Sequence, residues 1–249
     1  MKGKIRINWY DSLDSTNSEA LRRISTLDNL SVIAAREQTA GRGQRGNRWC
    51  SEPGENLTFS IVVQFGSEGL SPLPVREQFN LNFVSTLAVH EFLTAAGISV
   101  RIKWPNDIYS LDRKICGMLI ENGLSGDSLA YSVIGIGVNL NQRCFPVELV
   151  NPTSLARLTG QRYPLEESLE KLLECFERWL AHLYDTEMLR EEYLKHLYRL
   201  GDKCEYVDCT TGASFLGTIT GLTPEGRILL TLPDGTVRSY AFKEISYVI

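Results

Sequence analysis

The rhythm of apolar and polar positions changes once along the chain. Up to about residue 198, apolar runs of strand length alternate with longer stretches of helical period. "KIRINWY" (4–10) and "LSVIAAREQ" (30–38) predict strands, and the almost continuously apolar "NLTFSIVVQF" (56–65) predicts a strand interior to a sheet. "DSTNSEALRRI" (14–24) predicts a helix capped by Asp14 or Ser15. In residues 76–97, Phe79, Phe83, Leu87 and Phe92 fall near helical spacing before a terminal glycine. "VRIKWPNDIY" (100–109), "KICGMLIENG" (114–123) and "AYSVIGIGVNLN" (130–141) predict three further strands. Residues 163–185 predict an amphipathic helix with Pro164 at its start and Leu169, Leu172, Leu173, Phe176 and Leu180 on one stripe. A last helix spans about 187–196, before Gly201. Beyond it the chain is all short strands and glycine turns, with Pro233-Asp234-Gly235 as the clearest turn, which predicts a small β-barrel. The expected class is α+β, with a first domain over 1–198 and a second over 199–249.

Composition narrows the function. A formal net charge of −4 argues against a nucleic-acid binder and makes any arginine cluster a local feature. The basic N-terminus has no apolar run behind it, and no segment is long enough to cross a bilayer, so no export and no membrane partner are expected. The six cysteines form no C-x-x-C pair and read as reduced cytoplasmic thiols, and the three histidines are scattered without a zinc pattern.

Three segments carry candidate chemistry. In "TAGRGQRGNRW" (39–49), Gly41, Gly43 and Gly46 spell G-x-G-x-x-G. The dinucleotide fingerprint needs a helix after the glycines, but Pro53, Gly54 and Asn56 lie there and the next element is a strand. That leaves an anion loop, in which Arg42, Arg45 and Arg48 supply forked donors among close-approach glycines, or a solvated basic hairpin tip. In "KWPNDIYSLDRKICG" (103–117), Lys103 ends a strand, Pro105 turns the chain, and Asn106 and Asp107 offer oxygens that suit Mg²⁺. Lys114 follows on the next strand beside Gly117; the plainer reading is a hairpin with a core tryptophan. Ser15, Thr16 and Asn17 stand at the start of the first helix, either as caps or as polar groups facing a ligand.

"STN", "QTAGRGQRGNRW", "KWPNDIY", "DRKICG" and "GIGVNLN" occur in the order found in biotin protein ligases, and the resemblance spans most of residues 8–145. It implies a mixed-sheet catalytic domain resembling class II aminoacyl-tRNA synthetases, followed by an SH3-like barrel. It implies a two-step reaction: biotin and ATP give biotinyl-5′-adenylate, and a lysine of a biotin carboxyl carrier protein then takes the acyl group. Mg²⁺ accompanies the ATP. Relatives with an N-terminal winged helix repress transcription; this chain opens on the first catalytic strand, so no DNA binding is expected, and the state expected is a monomer or weak homodimer.

By that resemblance, Ser15, Thr16, Asn17 and Gln38 pair with the ureido group of biotin, and Arg42, Gly43 and Gln44 belong to the loop that closes on biotin and the adenylate. Lys114 and Gly117 complete the biotin site, and Lys114 meets the carboxylate or acyl phosphate, so Arg42 and Lys114 are the expected catalytic residues. Gly41, Arg45, Arg48, Trp49, Lys103, Asn106 and Asn139 serve ATP or the adenylate, and Asp107 is the candidate metal ligand. Gln44 stands where many members carry an arginine, and Arg45 or Arg48 is expected to supply the missing charge. The rivals are a lipoate–protein ligase-like enzyme, whose apolar substrate ring has no need of the Ser/Thr/Asn/Gln set, and a non-catalytic nucleotide-binding module.

Overall fold

The computed structural model describes residues 5–66 and 69–248; the side chain of Arg45 lies outside the described part. Seven strands form the first sheet: β1 (Ile7–Leu13), β2 (Val32–Gln38), β3 (Leu57–Gln64), β4 (Arg101–Lys103), β5 (Asp107–Ser110), β6 (Arg113–Ser125) and β7 (Ser128–Val138). Their order is β1-β2-β3-β7-β6-β5-β4. β1 and β2 run parallel across the connecting helix α1 (Thr16–Arg22), and every other neighbouring pair is antiparallel, so the sheet is mixed. The run at 56–65 is interior as its composition requires: all of β3 except Gln64 is buried.

One sheet face is covered by α2 (Asn80–Ala95) and α4 (Leu165–Leu180), with the short α3 (Leu155–Thr159) and α5 (Thr186–Lys195) alongside. The α4 stripe is buried as expected, at about 1.5–3 kcal/mol for each large apolar side chain. Phe176→Ala would remove one of its fully buried members and cost roughly 3–5 kcal/mol.

The second sheet contains β8 (Lys203–Asp208), β9 (Ser214–Leu222), β10 (Ile228–Thr231), β11 (Val237–Tyr240) and β12 (Ile245–Tyr247), all antiparallel in the order β11-β10-β9-β8-β12. No β11–β12 pairing closes it among the described residues. Its buried residues, Tyr206, Ile219 and Leu230 among them, belong to the same apolar cluster as the first sheet and its helices.

Two expectations shift, and one helix lies where none was expected. The strand placed over 100–109 divides into two at the turn expected from Lys103 and Pro105, and Lys103 pairs with Asp107 across the hairpin. The helix placed at 76–97 begins at Asn80, since Val75–Glu77 form a separate 3₁₀ turn. α3 was hidden in an apolar loop; Ser154 caps it by accepting from Arg157 N at 3.2 Å.

Candidate active site

A cleft of about 870 Å³ opens on the other side of β6 and β7, under the glycine–arginine loop, with the second sheet forming part of its rim. The floor is flat because Gly117 faces Gly137 there, and Gly135, opposite Leu119, continues it. A side chain at Gly135 would place Cβ 2.2 Å from Asn17 Oδ1, and one at Gly137 would place it 2.4 Å from the Trp49 indole. The floor can therefore carry an amide at one end and an indole at the other only with hydrogen in both positions.

The Asn17 end is neutral and closely bonded. Ser15 is the N-cap of α1 and accepts from Ser18 N, so the capping role falls to it and not to Asp14. That frees Thr16 and Asn17, both buried, for the cleft. Thr16 N donates to Gln38 Oε1 at 2.8 Å. Asn17 Nδ2 donates to Leu119 O (3.1 Å) and Glu121 Oε2 (2.9 Å), and Ser60 Oγ donates to Asn17 Oδ1 at 2.5 Å. Asn17 thus uses both donor hydrogens internally, whereas the Gln38 amide nitrogen has no bond among the described residues.

The other end is cationic. The loop folds back on itself through an Arg42–Arg48 bridge and a 3₁₀ turn at Gln44–Gly46, with Gly43 N donating to Asn47 O at 2.7 Å. It is tied down by Gln44 Nε2, which donates to Met118 O at 3.2 Å, and by Arg42, whose Nη2 lies 2.6 Å from Glu121 Oε1. Among the described residues the Arg48 side chain reaches only Thr39 O, at 3.5 Å. Lys114 Nζ lies 2.7 Å from Asp107 Oδ1. Lys103 makes no ion pair among the described residues; its ammonium lies 5.0 Å from the Tyr109 ring centroid and 4.8 Å from that of Tyr247, and burial pushes its pKa below the ordinary lysine value. The buried Trp49 Nε1 has no hydrogen-bond partner among the described residues.

Of the residues singled out in the sequence, the cleft gathers Ser15, Thr16, Asn17, Gln38, Arg42, Gly43, Gln44, Arg48, Trp49, Lys103, Asn106, Asp107, Lys114, Gly117 and Asn139. Gly41 does not line it: a Cβ there would meet Trp49 O at 2.3 Å, so this glycine lets the loop close on itself. Asn106 Nδ2 is spent on Met118 O at 3.1 Å, and Asn139 Nδ2 on Thr153 O at 2.9 Å. Asp107 faces a lysine, and no group of three His, Cys, Asp or Glu among the described residues could hold a metal ion. These residues do not fit a metal site built by the protein alone.

Ser60, Glu121, Gly135 and Tyr247 escaped the reading of the sequence. So did the apolar rim of Phe145, Leu149 and Val150. Ser60 and Glu121 stand in ordinary strand patterns, and only their contacts with Asn17 and Arg42 mark them.

A mixed sheet thus carries a hydrogen-bonding pocket of amides and hydroxyls beside a cluster of cations, a surface suited to a polar, neutral group next to an anion. The profile of the biotin/lipoate A/B protein ligase family matches residues 9–139, and the chain belongs to that family. It is similar to the biotin–[acetyl-CoA-carboxylase] ligase of Paracoccus denitrificans, with 34% identity over 232 residues covering 89% of this chain and 92% of the relative. It also matches the bifunctional ligase/repressor BirA of Escherichia coli, with 32% identity over 94% of this chain and 71% of that protein. Among solved structures, the biotin protein ligase of Aquifex aeolicus in complex with biotin and ATP superposes with a TM-score of 0.77 at 27% identity, covering 97% of both chains. No helix among the described residues is long and apolar enough to cross a membrane.

Proposed function

We propose that the protein is an ATP-dependent biotin–protein ligase. The biotin carboxylate attacks the α-phosphorus of ATP and pyrophosphate leaves. The ε-amine of a lysine on a biotin carboxyl carrier protein then attacks the acyl carbon, and AMP leaves. The observation that carries this reading is one cleft with a neutral amide-rich end and a cationic end side by side. Joining two anions requires charge neutralisation more than proton transfer, which suits a site rich in arginine and lysine.

The neutral end receives the ureido group, with Gln38 and Thr16 nearest to it and Asn17 oriented by Ser60 and Glu121. Lys114 meets the carboxylate and then the acyl phosphate. Arg42 moves from Glu121 to the adenylate, and Arg48, Lys103 and Trp49 serve the nucleotide, with Asn139 near the adenine. Mg²⁺ enters as the companion of the ATP phosphates. The protein works in the cytoplasm, without DNA binding, as a monomer or weak dimer. Residues 199–249 form a second domain, a division supported by the gap between β7 and β8 that only helices and loops fill.

Pyrophosphate exchange into ATP, with biotin or lipoate as the acid, tests the proposal. Biotin-dependent exchange is expected. Exchange with lipoate alone would replace it by the lipoate reading, and ATP binding with no exchange would leave a nucleotide-binding module.

A further inference from the structure

The second sheet enters the cleft at its cationic end. Tyr247 of β12 lines the cleft, and its ring centroid lies 4.8 Å from Lys103 Nζ. The ring is held in place by pairing of β12 with β8, where Tyr247 stands opposite Tyr206, and by an edge-to-face contact of 5.3 Å with the Tyr206 ring. The Tyr247 hydroxyl is buried without a hydrogen-bond partner among the described residues, so the ring and not the hydroxyl makes the contact that matters.

Lys103 differs from its neighbours in what faces it. Lys114 is paired with Asp107, and Arg42 with Glu121. Lys103 has two aromatic faces, Tyr109 and Tyr247; Asp107, opposite it on the next strand, acts on its charge but forms its ion pair with Lys114, and Lys103 has no ion pair among the described residues. A carboxylate would cancel the charge it holds, whereas an aromatic face attracts an ammonium through its quadrupole and leaves the charge for a ligand. We propose that Tyr247 is a positioning residue: its ring, with that of Tyr109, holds the Lys103 ammonium in the cleft as a cation with no direct carboxylate partner among the described residues, available to the phosphates of ATP. The inference rests on the ligase reading above and gives the second sheet a part in nucleotide binding.

The test compares Tyr247→Phe, Tyr247→Leu, Lys103→Met and the double variant Lys103→Met/Tyr247→Leu in the full chain. ATP affinity is measured by calorimetry, KM for ATP and kcat by biotin-dependent exchange, and folding by thermal denaturation. Tyr247→Phe keeps the ring and should stay within about twofold of the parent. Tyr247→Leu should weaken ATP binding by about tenfold or more, as should Lys103→Met, and the double variant should be no worse than Lys103→Met. A folded Tyr247→Leu protein with parental ATP affinity overturns the proposal. So does an effect of Tyr247→Leu that persists undiminished in the Lys103→Met background. If Tyr247→Leu does not fold, Tyr109→Leu reads the other ring, and a Tyr109 effect independent of Lys103 overturns the proposal equally. A parent that shows no biotin-dependent exchange would sink the ligase reading, while the ATP affinities would still judge Tyr247.

Discussion

The two ends of the cleft are built on opposite plans. At the neutral end, Thr16, Asn17, Gln38 and Ser60 are tied to one another and to the backbone, and most donors already have acceptors. At the charged end, Arg42 and Lys114 are held by Glu121 and Asp107, acids that an anionic substrate has to replace. The neutral end resembles a mould that is shaped before the ligand arrives. The charged end resembles an ion exchanger, in which internal counter-ions spare the cations from facing one another in an empty site. Shape at one end and exchange at the other should respond differently to substitution.

The largest effect is expected at the charged end. Lys114→Ala removes a hydrogen bond to a charged oxygen, worth roughly 1.5–3 kcal/mol, so kcat/KM for adenylate formation should fall about tenfold to a hundredfold. Thermal stability should change little; a collapse of stability with full activity per folded molecule would make Lys114 structural. Next comes the floor of the neutral end. In Gly135→Ala the new Cβ would stand 2.2 Å from Asn17 Oδ1, and displacing that amide breaks its bonds to Ser60 and Glu121. Overpacking of this kind costs about 1–3 kcal/mol, and it should appear as a KM for biotin raised about tenfold with KM for ATP nearly unchanged. The opposite pattern would mean that the neutral end does not hold biotin.

A smaller change tests the exchange directly. Glu121→Gln keeps an oxygen to accept from Asn17 but removes the charge that competes for Arg42. Partly exposed pairs are worth under about 1 kcal/mol, so biotinyl-adenylate should be released about threefold more slowly. Faster release would show that Glu121 helps to hold the adenylate. The smallest effect on activity belongs to His90, which lies outside the cleft and stacks on His196 at 3.9 Å. Burial, then the charges of His196 and Arg101, lower its pKa from 6.5 to about 4, against the opposing pull of the Val100 backbone and Glu192. Below pH 6.5 the unfolded chain therefore takes up a proton that the folded protein refuses, and stability falls as the pH drops towards about 4. Melting temperature against pH should show that decline, and His90→Gln should flatten it while leaving exchange kinetics unchanged.

Much of this site was legible because its residues travel in short motifs. Thr16 and Asn17, Arg42–Gln44 with Arg48 and Trp49, and Lys103–Asp107 with Lys114 and Gly117 each reach the cleft from one short segment. The sequence also rejected the dinucleotide fold correctly: β2 and β3 on either side of the glycine loop are antiparallel neighbours. What stayed hidden depends on contacts across long separations. Glu121 lies 104 residues from the Asn17 amide it accepts from, and nothing in "LIENG" distinguishes it from a solvated strand residue. Gly135 and Gly137 read as ordinary strand glycines until Asn17 and Trp49 are laid over them. The expectation that Arg45 or Arg48 makes up for Gln44 finds Arg48 bound weakly to a backbone carbonyl, and Gln44 itself holding the loop to Met118 O, with the Arg45 side chain outside the described part.

Trp104 donates its indole N–H to Gly226 O at 2.8 Å, across the boundary between the sheets, and Phe79 of the first unit sits so close to Gly226 that a Cβ there would lie 2.2 Å from its ring. Unfolding should therefore proceed in one step. A chain cut after residue 198 would not be a smaller enzyme; it would bare the flank of Trp104 to water and remove the carbonyl that accepts its N–H. Proteases that nick the linker would yield fragments that stay together until both melt, and any attempt to graft a foreign C-terminal module onto this catalytic sheet would have to carry a carbonyl to the place where Gly226 now stands.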